Sequence, residues 1–132
     1  MRTFWYNKLI RDKVLDSMKE RGEQVTYRIL TDDEYLEQLR LKLIEEAQEV
    51  AFKDRRQTLK ELADLQEVLD CLIDALGHQH EDIAKLQTEK NQKSGSFKKR
   101  IYVESTSLSD DNPWTEYLAG HPAQYPEQST KR

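Results

Sequence analysis

Two stretches of the chain set carboxylates three residues apart on neighbouring segments of helical pattern. LIEEAQEV (residues 43–50) carries Glu45, Glu46 and Glu49, and LKELADLQEVLD (residues 59–70) carries Glu61, Asp64, Glu67 and Asp70. On a helical wheel the first segment has an apolar stripe of Leu36, Leu39, Leu43, Ile44, Ala47, Val50 and Ala51. Glu46 borders that stripe and Glu49 lies on the same flank, while Glu45 points nearly opposite. The second segment has an apolar arc too wide for one neighbour: Leu59, Leu62, Ala63, Leu65, Val68, Leu69, Leu72, Ile73, Ala75 and Leu76. Glu61 falls between Val68 and Leu72, and Asp64 between Cys71 and Ala75, so both acids intrude into the arc. Glu67 and Asp70 repeat the spacing but share the polar face with Asp74.

An ionised carboxylate among apolar side chains must be paired, protonated or bound to a metal. In an antiparallel hairpin Glu46 and Glu49 face Glu61 and Asp64, an all-oxygen cage suited to a hard divalent ion, Mg2+ with Mn2+ as a substitute. A di-iron bundle would need Glu-x-x-His, and no glutamate here has a histidine three residues on. The competing arrangement pairs the four acids with Lys and Arg around a bundle. One EExxE run alone favours that arrangement, and two pairs on converging faces favour the metal.

The elements that must hold these acids follow from period and caps. Ile10, Val14 and Met18 recur every four positions, predicting a short helix from Lys8 to about Arg21 that ends at Gly22. QVTYRIL (24–30) alternates weakly and reads as extended. Thr31 or Asp32 caps a second helix from about Asp33 to Phe52, with Glu34 as an early acid. The short polar break KDRRQ makes its neighbours antiparallel. A third helix runs from about Gln57 to Leu76, Gly77 ends it, and HQHEDIAKLQTEK forms a fourth. KSGSFKKRIYVE is a glycine turn and one short strand, and the Ser-, Asp-, Pro- and Gln-containing remainder is a tail or an oligomer-clasping arm. The expected fold is therefore all-α, an antiparallel bundle of four main helices with a short extended segment and a C-terminal tail.

Composition bounds the function classes. With 132 residues, 36% hydrophobic and 35% charged, one domain with a modest core is expected, and oligomerisation is a natural way to add burial. A formal charge of −4 and the lack of a sustained Lys/Arg stripe argue against duplex nucleic acid. The first residues have no apolar signal-peptide core and no run reaches membrane-spanning length, so a cytoplasmic protein is expected. A single cysteine, Cys71, leaves no intramolecular disulfide and is expected to pack in the core. Trp5, Tyr6 and Phe97 are the aromatics considered for stacking on a base, with core or interface packing as the alternative. The three histidines point to nothing specific.

EEAQE followed by ELAD resembles the EExxE and ExxD signature of the MazG-type all-α nucleoside triphosphate pyrophosphohydrolases, relatives of phosphoribosyl-ATP pyrophosphohydrolase. YNKLIRDKV (6–14) is similar to the opening of a house-cleaning subgroup of that superfamily, although the proline that often follows it is Leu15 here. KSGSFKKRIYVE is similar to the segment after the subgroup's last helix. The resemblance spans residues 4–104 and sets residues 1–104 apart from a tail, 105–132. It implies hydrolysis of a triphosphate, often a noncanonical one, between its α and β phosphates, by a homodimer or homotetramer with sites near subunit contacts. The metal ligands it points to are Glu46, Glu49, Glu61 and Asp64. Glu46 or Glu49, with Glu45 third, are the candidates to activate water, and Lys8, Arg11, Lys90 and Lys93 are the candidate phosphate clamps. Two other functions remain in play: an inactive helical module that binds a nucleotide or a partner, and phosphoribosyl-ATP hydrolysis.

Overall fold

The structure, a computed structural model, describes residues 1–54 and 58–129. Among these residues it is all-helical: α1 (Val14–Glu20), α2 (Asp32–Phe52), α3 (Thr58–Ala75), α4 (His80–Ser94) and α5 (Pro113–Ala119), with no strand. The chain forms two compact units, Met1–Ser94 and Gly95–Arg132.

Helix α2 starts at a reciprocal cap. The Thr31 hydroxyl accepts the Glu34 amide at 3.3 Å, and the Glu34 carboxylate accepts the Thr31 amide at 3.4 Å. Two amides that no helical turn can serve are thereby satisfied, and Asp32, Asp33 and Glu34 put negative charge at the positive end of the helix dipole. Arg28, on the segment before the helix, pairs with Glu34 and holds its carboxyl down at about 2. The helix stops at Lys53, whose ψ of 162° turns the chain outward. Residues 55–57, most of the KDRRQ break and the expected start of α3 at Gln57, lie outside the described residues.

Helices α2 and α3 are the pair in sustained contact. Leu39, Val68 and Leu72 are buried between them, and Leu9, Tyr35, Leu36, Leu43 and Cys71 pack around that cluster. The first half of α2 therefore meets the second half of α3. At the other end Lys53, just past α2, reaches Glu61 in the first turn of α3, so the pair is antiparallel. Fully burying each such aliphatic side chain stabilises by roughly 1.5–3 kcal/mol. Cys71 is half-buried against this core, and burial pushes its thiol pKa up.

The wide arc of α3 is covered on one side only. Leu62, Leu69 and Leu76 are exposed, and so are Ile44, Ala47 and Ala51 of the predicted α2 stripe. Within one chain Ile73 is buried as well, but several apolar positions of both helices stay uncovered.

Helix α1 begins at Val14 rather than near Lys8. Leu9 packs on the α2–α3 cluster, Lys8 and Arg11 reach to acids on those helices, and Lys13 offers no capping bond. These tertiary contacts hold residues 8–13 out of the helix that their period favours. The ends of α1 and α3 match expectation. The Gly22 and Glu23 amides donate to Lys19 and Met18, and the Gly77 and His78 amides to Asp74 and Ile73, with both glycines at positive φ. Helix α4 buries no residue.

In the second unit the predicted strand is absent. The Arg100 amide donates to the Phe97 carbonyl at 3.1 Å with Arg100 at φ 59°, closing a turn through the KKR run. The remainder, read as a tail or an oligomer-clasping arm, contains α5. Asn112 accepts the Trp114 amide at 2.9 Å, Pro113 occupies the first turn, and Tyr117 stacks with Trp114, His121 and Tyr125.

Candidate metal and phosphate site

The α2–α3 packing carries two buried acids. The side chains of Glu46 on α2 and Glu61 on α3 are 10% and 6% exposed. Each keeps one oxygen, Oε2, fully buried without a hydrogen-bond partner among the described residues. Buried carboxylate oxygens in that state are rare and costly, so their presence needs a reason. Burial pushes the pKa of Glu46 up, and the nearby charges of Glu49, Asp64 and Glu45 push in the same direction. Acids from both helices therefore act on one another here.

Glu49 and Asp64 flank the buried pair half-exposed. Glu45 also lies at this rim, with its side chain only 32% exposed, although the ideal wheel turned it away from the stripe. The unwound residues before α1 explain the shift, because Lys8 comes down on Glu45 at 2.9 Å and covers it. The Lys8 hydrogen bond holds the Glu45 carboxyl below its ordinary value, and Glu45 in turn raises Lys8.

Cations ring the acids. Arg11 Nη2 donates to Asp64 Oδ1 at 2.8 Å. Lys42 stands 3.4 Å from Glu45 and 3.8 Å from Glu46. Lys53 stands 3.4 Å from Glu61 and 3.9 Å from Glu49. Sequence reasoning identified Lys8 and Arg11 and missed Lys42 and Lys53. The signal was present in helical spacing: Lys42 is four residues before Glu46, and Lys53 four after Glu49. Lys90 and Lys93 stand on exposed α4, and no ion pair or hydrogen bond joins them to these acids among the described residues.

The acids do not form a finished coordination sphere. Among the described residues, no group of three or more His, Cys, Asp or Glu side chains is placed to hold a metal ion. The donor chemistry nonetheless fits a hard divalent ion: the set is all carboxylate oxygen, and two orphaned oxygens sit on facing helices. The second acid pair of α3 is different. Glu67 is exposed and accepts from Cys71, while Asp70 accepts from Gln66 and lies 3.7 Å from His80. Trp5, Tyr6 and Phe97 are all exposed. Among the described residues, no helix is long and apolar enough to cross a membrane. Compared with protein-family models, with curated proteins and with solved structures, the chain matches none.

Proposed function

We propose that this chain is a MazG-type pyrophosphohydrolase that hydrolyses a nucleoside triphosphate, noncanonical in the fullest form of this reading, between its α and β phosphates, with Mg2+ as cofactor. The observation that carries the reading is the pair of orphaned, buried carboxylate oxygens of Glu46 and Glu61 on facing helices, ringed by four basic side chains. Glu46, Glu49, Glu61 and Asp64 would hold the metal. Bound Mg2+ would neutralise triphosphate charge, polarise the attacked phosphoryl group and acidify a water. Glu46 is the first choice to take the proton of the attacking water, since burial makes its carboxylate more basic; Glu49 and Glu45 follow it. Lys8 and Arg11 already stand at the rim and can exchange carboxylate for phosphate oxygens. Lys90 and Lys93 gain no support from their place on α4. The uncovered apolar faces of α2 and α3 support a homodimer or homotetramer, in which a second copy completes the helical bundle.

One observation favours a second reading. Each acid is met by Lys or Arg, as in a purely structural bundle, and this fits an inactive module that binds a nucleotide or a partner. A panel of common and altered nucleoside triphosphates and phosphoribosyl-ATP, assayed for pyrophosphate release with and without Mg2+, separates the readings. Mg2+-dependent release of pyrophosphate from a nucleoside triphosphate supports the proposal. Release of single phosphates contradicts it, turnover of phosphoribosyl-ATP alone moves the protein to histidine synthesis, and no turnover of any substrate favours the module.

A further inference from the structure

Lys53 differs from the other cations at the acids in what it joins. Lys42 reaches Glu45 and Glu46 from one turn away on the same helix, an arrangement any helix provides. Lys53 lies one residue past α2, its amide tied to the Glu49 carbonyl at 3.1 Å, and its side chain crosses to α3. Its ammonium stands between Glu49 Oε2 at 3.9 Å and Glu61 Oε1 at 3.4 Å, one acid from each helix. Both acids belong to the proposed ligand set. Glu61 is almost completely buried while the Lys53 side chain is 51% exposed. The lysine therefore serves a carboxylate that cannot leave, from a position that it can leave itself. It borders an open hollow with Leu59, Lys60 and Glu61, which gives the side chain room to move.

We propose that Lys53 is a tethered counter-cation, holding Glu49 and Glu61 together across α2 and α3 when no metal is bound and competing with a divalent ion for the same two carboxylates. The inference rests on the metal reading of the site. Two cations within reach of the same oxygens repel each other, so ion entry requires the ammonium to withdraw. The lysine then sets a threshold on metal binding and protects the metal-free protein from the cost of an uncompensated buried acid. Glu61 Oε2, left unpartnered even with Lys53 in place, shows that one ammonium does not satisfy the acid fully.

The test compares the full-length protein with Lys53→Met and Lys60→Met, which removes a second positive charge bordering the same hollow. Mn2+ binding is measured by electron paramagnetic resonance of the free ion, and thermal unfolding is followed with and without Mn2+. Lys53→Met is expected to bind Mn2+ about 1.5- to fivefold more tightly than the parent, the range an exposed ion pair can impose as a competitor. Its metal-free unfolding midpoint is expected to fall, with the gap to the parent narrowing in excess Mn2+, and Lys60→Met is expected to show neither change. Equal or weaker Mn2+ binding by Lys53→Met, in a parent that binds saturably, overturns this inference and leaves the metal reading standing. Equal tightening in Lys60→Met overturns it too, by reducing the effect to general charge. A parent with no saturable Mn2+ binding overturns the metal reading and this inference with it. Should Lys53→Met not fold, Lys53→Gln read by the same Mn2+ titration decides in the same way.

Discussion

The two ends of α3 carry the same acid spacing in different surroundings. Glu61 and Asp64 at the start lie on the face toward α2, with Glu61 4% exposed and Asp64 gripped by Arg11. Glu67, six residues after Glu61, is exposed, and Asp70 is half-exposed beside Gln66 and His80. Spacing cannot separate the pairs, and the burial of Glu61 against the exposure of Glu67 does. A carboxylate in water is stable without help, whereas one packed between helices needs a cation. The difference teaches that the functional half of a repeated motif is the half whose placement costs stability.

The largest effect that can break this comparison is catalytic. Glu61→Gln is expected to lower Mg2+-dependent pyrophosphate release on the order of 100-fold or more, the scale of removing one group that stabilises charge in the transition state. Glu67→Gln is expected to stay within about threefold, since its carboxylate is exposed and accepts from Cys71. Equal losses would show that burial does not distinguish the pairs. Unfolding of the metal-free proteins sharpens the same point. Glu61→Gln removes a buried charge that is incompletely paired and is expected to leave the midpoint unchanged or raised.

Glu34 marks the other case, a half-exposed carboxylate served by Arg28 and Thr31. Thr31→Ala is expected to cost about 1 kcal/mol of stability by urea unfolding, the usual price of a lost cap. The pH dependence has a definite sign. The Glu34 pKa is depressed from 4.5 to about 2 in the folded chain, so its contribution is present above pH 4.5 and is lost as pH falls toward 2. NMR titration of the Glu34 carboxyl checks this directly, and a value near the ordinary one would remove Glu34 as the paired reference.

Much of the α2–α3 unit was legible in the sequence because local and tertiary signals agree there. Thr31 and Glu34 announce the start of α2, Gly77 the end of α3, and the wheel places Glu61 among apolar neighbours. Where the two kinds of signal conflict, periodicity misleads. Residues 8–13 have helical spacing, yet Leu9 packing and the reach of Lys8 and Arg11 hold them otherwise. KSGSFKKRIYVE reads as a glycine turn into a short strand, but the described residues supply no partner to pair with it and Arg100 turns the chain. The tail reading overlooked Asn112 followed by Pro113, a cap and first-turn signal strong enough to start α5. Lys42 and Lys53 stand four residues from Glu46 and Glu49, a spacing so common on charged helices that by itself it marks no site.

The most direct measurement is an isothermal titration of Mg2+ and Mn2+ into the parent protein, the Glu46→Gln/Glu61→Gln double variant and the Glu67→Gln/Asp70→Asn double variant. The account predicts saturable binding in the parent and in Glu67→Gln/Asp70→Asn, and its loss in Glu46→Gln/Glu61→Gln while that protein remains folded. Binding that survives in Glu46→Gln/Glu61→Gln, or is lost in Glu67→Gln/Asp70→Asn instead, would contradict it.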